Sequence, residues 1–307
     1  MNQPDTLSQS AKTSWARWIG TCISLALLIW LLWRQDWGIL ISNAASTPIS
    51  NILIAVGLVF LGQLWNSVRW MILLRAQGMA ISRLRVIQLV FAGLFASNFL
   101  PTTIGGDLVR VVGVSAYTTD QVIGVASVVV DRLISVVGMF FVIPFSLPLI
   151  NSALSSGLGI FSSITFANAR VIRSIRNFAA RLWEAVALWV KDPMSLLIAL
   201  ITSWLGVACY LAAVWVCARG LDIEVSFFDV AGVTGLTYFL TLFPISINGY
   251  GIRELGVMAL YTQLGAQPEA AAALALITRA MLLTVSLPGA IWLGRVMKQG
   301  GSGIRQD

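Results

Sequence analysis

Asn98-Phe-Leu-Pro-Thr-Thr-Ile-Gly-Gly-Asp-Leu-Val-Arg110 interrupts an apolar stretch running from 86 to 117. Proline and glycine break helices, and arginine is costly in a bilayer. The same parts recur 143 residues later: Pro101, Ile104, Gly106, Arg110 and Gly113 return as Pro244, Ile247, Gly249, Arg253 and Gly256. The second copy breaks another apolar stretch, 228–264. A further arginine follows each copy in the next apolar run, Arg132 and Arg279. The pattern points to a duplicated membrane fold whose working parts lie at mid-depth.

The rest of the chain agrees with a membrane setting. Of 307 residues, 58% are hydrophobic and 11% charged, and the mean hydropathy is +0.85. A soluble domain carries roughly 25% charged residues. There is no histidine, which removes the commonest general base and metal ligand. Cys22, Cys209 and Cys217 sit in apolar runs without metal-ligand spacing. No metal, cofactor or nucleic acid is therefore expected, and the net charge of +7 is assigned to basic cytoplasmic loops.

Helical spans need about 20 apolar residues. Runs at 17–33, 50–74, 121–149, 193–218 and 269–295 qualify, with a shorter serine-rich one at 152–168. The first is read as a retained span, since no small-residue cleavage site follows it. Each half of the broken stretches is short for a full span. Broken backbone at membrane depth is tolerated where it is buried in protein or lines a wet cavity, so both stretches are expected to be re-entrant hairpins. The expected fold is all-α integral membrane: about six full transmembrane helices plus two re-entrant helical hairpins in an inverted-topology repeat. Counting the hairpins as ordinary short spans gives eight. The expected division is an N-terminal tail 1–14, one membrane domain 15–297 and a C-terminal tail 298–307. Repeat one covers about 50–149, repeat two about 193–297, and a basic connector spans 170–191. Lysine and arginine clusters place both termini and this connector in the cytoplasm. Val171, Ile175, Phe178, Leu182, Val186 and Trp189 recur at helical spacing among arginines. That suits either an interfacial helix on an anionic leaflet or a packed connector.

In each break, a half-helix is expected to restart near Asp107 or its counterpart, with free N–H groups and an arginine suited to an anion. The candidate lipid-phosphate-binding residues are Arg110, Arg132, Arg253, Arg279, Gly105, Gly106, Asn248 and Gly249. Asn98, Asp107, Asp131, Tyr250 and Glu254 are supporting polar or charge partners, and Pro101 and Pro244 are the helix breaks. A purely architectural alternative has Asp107 capping its helix and pairing with Arg110, and the mid-span arginines in structural ion pairs. Arg69, near the end of its span, is expected to snorkel to the interface. No P-loop, Gly-x-Ser-x-Gly elbow or histidine motif occurs, so no enzyme is expected.

Phe-Leu-Pro-x-x-Ile-Gly-Gly-Asp-x-x-Arg (99–110), Asp131-Arg132 and Pro244-x-Ser-x-x-Gly-x-Gly-x-Arg-Glu254 resemble the lysylphosphatidylglycerol synthase transmembrane-region family, also called flippase-like. The resemblance covers roughly 15–297. It implies a multi-pass bacterial inner-membrane protein that moves an anionic phospholipid, an aminoacylated lipid or a polyprenyl-phosphate glycolipid between leaflets. Bifunctional members carry a soluble aminoacyl-transferase domain after the membrane part. This sequence stops at Asp307, so lysyl-lipid synthesis is not expected of it. The alternative function is a scaffold or partner of a separate lipid-modifying or glycosyltransferase enzyme.

Overall fold

The computed structural model describes residues 47–99, 105–115, 117, 121–150, 189, 192–242 and 251–303. Expectations for 17–33, 152–168, most of 170–191 and both helix-break loops fall outside these residues. The described part is all-α: α1 Ile49–Ala76, α2 Arg83–Phe99, α3 Gly105–Ser115, α4 Gln121–Phe140, α5 Pro193–Gly220, α6 Phe227–Leu242, α7 Ile252–Gln263, α8 Pro268–Ser286 and α9 Pro288–Gly303.

The two halves march in step. Helices α1 to α4 have 28, 17, 11 and 20 residues. Helices α5 to α8 have 28, 16, 12 and 19. Four of the described helices, in α1, α4, α5 and α8, are long and apolar enough to cross a membrane. At 1.5 Å per residue, α1 and α5 each extend about 42 Å, more than the roughly 30 Å hydrocarbon core.

Each helix starts and stops for local reasons. Asp192 caps α5 by accepting from the Ser195 N–H, and Pro193 occupies the first turn, where its missing N–H costs nothing. The apolar runs 121–149 and 269–295 do not continue as single helices. After Phe140 the chain passes through a turn into a 3₁₀ segment, Ile143–Ser146, containing Pro144. At Leu287 the chain breaks before Pro288. In both places proline removes a backbone donor and clashes with the preceding turn.

Packing follows membrane rules. Leu53, Phe60 and Leu61 on α1 and Leu197, Ile201 and Leu205 on α5 are exposed, forming an apolar surface for lipid. Small and polar residues of α5, including Ala199, Ser203, Gly206 and Ala213, face inward. Helices α1 and α5 cross at their midpoints, where a Cβ on Gly62 would lie 3.2 Å from the Gly206 carbonyl and one on Gly206 3.4 Å from the Gly62 carbonyl. Small residues at such a crossing let two backbones approach. Helices α2 and α3 are pressed equally close: a Cβ on Gly106 would strike Ser97 Oγ and the Gly93 carbonyl, and one on Gly113 would strike Leu89. Helices α6 and α7 also meet at a glycine, Gly256, whose added Cβ would lie 3.1 Å from Thr237 Cγ2.

Trp189 is fully buried and its indole N–H donates to the Leu73 carbonyl at 3.0 Å. This residue of the basic connector thus packs against α1.

Candidate functional site

Asp131 sits at the centre of the first half, 2% exposed. Arg69 Nε donates to its Oδ1 at 2.7 Å and Arg110 Nη2 to its Oδ2 at 2.8 Å. Arg69 also donates to Ser203 Oγ at 3.1 Å, tying α5 to the pair. Arg110 lies over the Trp70 ring, 4.1 Å from its centroid, and Trp70 donates to Ser127 Oγ. One carboxylate thus fixes α1, α3 and α4 together. A buried ion pair is worth little net, but removing one partner strands the other charge. Arg69 is 6% exposed, so it does not snorkel. It is turned into the protein, onto Asp131. Arg110 pairs closely with Asp131, whereas its Nη1 is 3.9 Å from Asp107 Oδ1.

Asp107 is held by Arg132 instead. Arg132 Nε and Nη2 both reach the carboxylate, at 3.0 and 3.0 Å in their shortest contacts. The second half repeats this bond: Arg279 Nε lies 3.2 Å from Glu254 Oε1. Asp107 and Glu254 are each the third residue of their helices, and Arg132 and Arg279 each the twelfth of theirs. Glu254 also accepts from the Gly251 N–H at 2.8 Å, and Gly251 has φ +82°, a backbone that suits glycine. Both half-helix N-termini are therefore complemented by the protein's own carboxylates.

Arg253 differs from the other four. Its Nη2 hydrogen bonds to Tyr210 Oη and its guanidinium lies 5.6 Å from the Tyr210 ring centroid. Among the described residues, no carboxylate is in salt-bridge reach of it.

These groups surround two adjoining cavities of about 270 and 470 Å³. Arg69, Arg110 and Asp131 line the first. Arg253, Arg279, Thr234, Thr237, Thr241 and Tyr261 line the second. Asp107, Arg132, Ser97, Tyr210 and Tyr238 belong to both walls. The set comprises five guanidiniums against three carboxylates, counting Glu254 behind Arg279, an excess of two positive charges. An electropositive, hydroxyl-lined cavity at mid-protein is chemically suited to an anion such as phosphate.

The structure thus brings Arg110, Arg132, Arg253 and Arg279 to one pair of cavities, with Gly106 and Asp107 on the first wall and Asn98 on the second. Gly105 is buried at the start of α3. Pro101, Pro244, Asn248, Gly249 and Tyr250 lie outside the described residues. One expected correspondence changes. Arg110 is the sixth residue of α3, but Arg253 is the second of α7. The second loop is four residues longer, so the 143-residue offset of the motifs becomes 147 within the helices. Arg110 and Arg253 consequently sit about one helical turn apart along equivalent elements, roughly 5.4 Å. Tyr210 and the threonines of α6 were not singled out from sequence. Arg69 was singled out, as a charge near the end of an apolar run, but for the interface and not for this site.

No curated protein matches the chain. The family model for the lysylphosphatidylglycerol synthase TM region matches residues 17–289. The four candidate spans and the electropositive interior suit a multi-pass protein of lipid modification or transport. The chain belongs to the lysylphosphatidylglycerol synthase TM-region family.

Proposed function

We propose that this protein moves a phosphate-bearing lipid between the leaflets of the bacterial inner membrane, acting as a transporter of flippase type and not as an enzyme. The observation that carries this reading is the uncompensated positive charge of the cavities, concentrated at Arg253. A guanidinium in a membrane interior is costly, about 2.5–3.5 kcal/mol at a helix centre on insertion scales. Four of the five are paired with a carboxylate, Arg69 and Arg110 sharing Asp131. Among the described residues Arg253 has Tyr210 and no carboxylate, and is left to hold an anionic group from outside the protein. Arg132 and Arg279 on the same cavity supply further donors. The lipid is an anionic phospholipid, an aminoacylated lipid or a polyprenyl-phosphate glycolipid, its acyl chains remaining in the bilayer.

The matched helix series support an inverted-topology repeat, with the α2–α3 hairpin re-entering from the cytoplasmic side and the α6–α7 hairpin from the outer side, both termini being cytoplasmic. Rocking of the two repeats about the α1–α5 crossing would expose the cavities alternately. Reconstitution with fluorescent acyl-labelled lipid tests the reading. The purified chain should move label across vesicles without nucleotide or partner. Movement only with an added lipid-modifying enzyme would indicate a scaffold, and a changed lipid mass an enzyme.

A further inference from the structure

Every carboxylate of the two cavities is engaged by arginine. Asp131 is held by Arg69 and Arg110, Asp107 by Arg132, and Glu254 by Arg279 and the Gly251 N–H. The loops 100–104 and 243–251, which join the hairpin helices, contain no aspartate or glutamate. The ring of Tyr210 already faces one cation, Arg253, and is not open to a second on that side. Among the described residues, the larger cavity therefore offers guanidinium donors and no uncommitted anion.

Its hydroxyl groups add direction. Thr237 donates to the Val233 carbonyl at 2.8 Å, Thr241 to the Tyr238 carbonyl at 2.7 Å and Thr278 to the Ala275 carbonyl at 2.9 Å. All three line the cavity. With their protons spent on backbone, their oxygens present lone pairs. Such a wall accepts hydrogen bonds from a ligand's own hydroxyls, while the arginines donate to its phosphate. An ammonium would find the same acceptors, but in a field of excess positive charge and without a counter-carboxylate.

Resting on the reading of this cavity as a lipid-phosphate site, we infer that its headgroup is uncharged and hydroxyl-bearing, a glycerol or sugar attached through a phosphodiester. An aminoacylated headgroup is selected against. Specificity here comes from what the cavity withholds as much as from what it donates.

Native mass spectrometry of the full chain in detergent tests this with equal amounts of phosphatidylglycerol, lysyl-phosphatidylglycerol and phosphatidic acid of identical acyl chains. The phosphatidylglycerol adduct should exceed the lysyl adduct by about tenfold and also exceed the phosphatidic acid adduct. A Thr237→Val, Thr241→Val double variant should narrow the gap to phosphatidic acid and leave the gap to the lysyl lipid in place. A lysyl adduct equal to or above that of phosphatidylglycerol overturns the inference, as does the absence of any preference. Displacement of phosphatidylglycerol by soluble glycerol 3-phosphate at equal concentration would assign the site to free phosphate esters and also overturn it. Because occupancy is measured, not movement, the two readings fail separately. Preferential binding without translocation removes the transport proposal alone. Equal translocation of lysyl and glycerol lipids removes the headgroup inference alone.

Discussion

The Arg279 guanidinium lies 3.2 Å from the Glu254 carboxylate, and the residues are 25 positions apart, the same separation that joins Arg132 to Asp107. Each bond links a short helix following a break to the spanning helix after it. The two pairs differ in setting. Arg279 and Glu254 side chains are 10% and 5% exposed, whereas Arg132 is 56% exposed. Arg279→Ala should therefore strand a buried carboxylate and cost about 3 kcal/mol of stability. Arg132→Ala should cost about 1 kcal/mol or less. Denaturation in mixed micelles measures both, and equal losses would contradict the difference in burial.

Asp131 holds two arginines, so neutralising it raises the net charge of the buried cluster from one positive to two. Asp131→Asn should lower abundance in the membrane more than Arg69→Gln, which leaves Arg110 on the carboxylate. A double substitution of Arg69 and Asp131 should be less damaging than the sum of the singles. Additive losses would show that the pair is not coupled.

Glycine positions separate packing from function. Gly106→Ala should deplete the folded protein, because its Cβ meets the Gly93 carbonyl as well as Ser97. A second change, Ser97→Ala, should not restore it, since backbone remains in the way. Gly57 has nothing within 4 Å of an added Cβ. Gly57→Ala should be neutral or stabilise by about 0.5–1 kcal/mol through helix propensity. Abundance and thermal stability in detergent report both.

Site-directed labelling tests the proposed topology. Cysteines at Leu84 and Tyr117 should react from the cytoplasmic side, and cysteines at Phe227 and Leu264 from the outer side. Labelling of Tyr117 from outside would make α2 and α3 ordinary spans and remove the inverted arrangement.

Much of this was legible in sequence because helix breakers and arginines stand out against apolar residues. The Pro101-to-Arg110 stretch marked the division between α2 and α3, and Pro244-to-Arg253 that between α6 and α7. Arg69 was misplaced because proximity to the end of an apolar run suggests an interface. A helix of 28 residues instead carries that position inside. The relative register of Arg110 and Arg253 was hidden because motif spacing runs through the loop, and a loop four residues longer shifts everything after it. Tyr210 gave no sign, being an amphipathic ring in a run of apolar residues. Prolines 144 and 288 were visible, yet apolar periodicity alone carried both spans past them.

Lipid movement, as proposed, depends most on Arg253 as the guanidinium that receives the lipid phosphate. Lysine keeps its charge but loses the planar fork that can bind two phosphate oxygens. The deciding measurement is the translocation rate of acyl-labelled phosphatidylglycerol in vesicles containing Arg253→Lys protein, normalised to folded protein per vesicle. The expected result is normal abundance with the rate reduced by about tenfold, equivalent to about 1.4 kcal/mol. Normal abundance with an unchanged rate would contradict it, and loss of the folded protein would make Arg253 a structural residue.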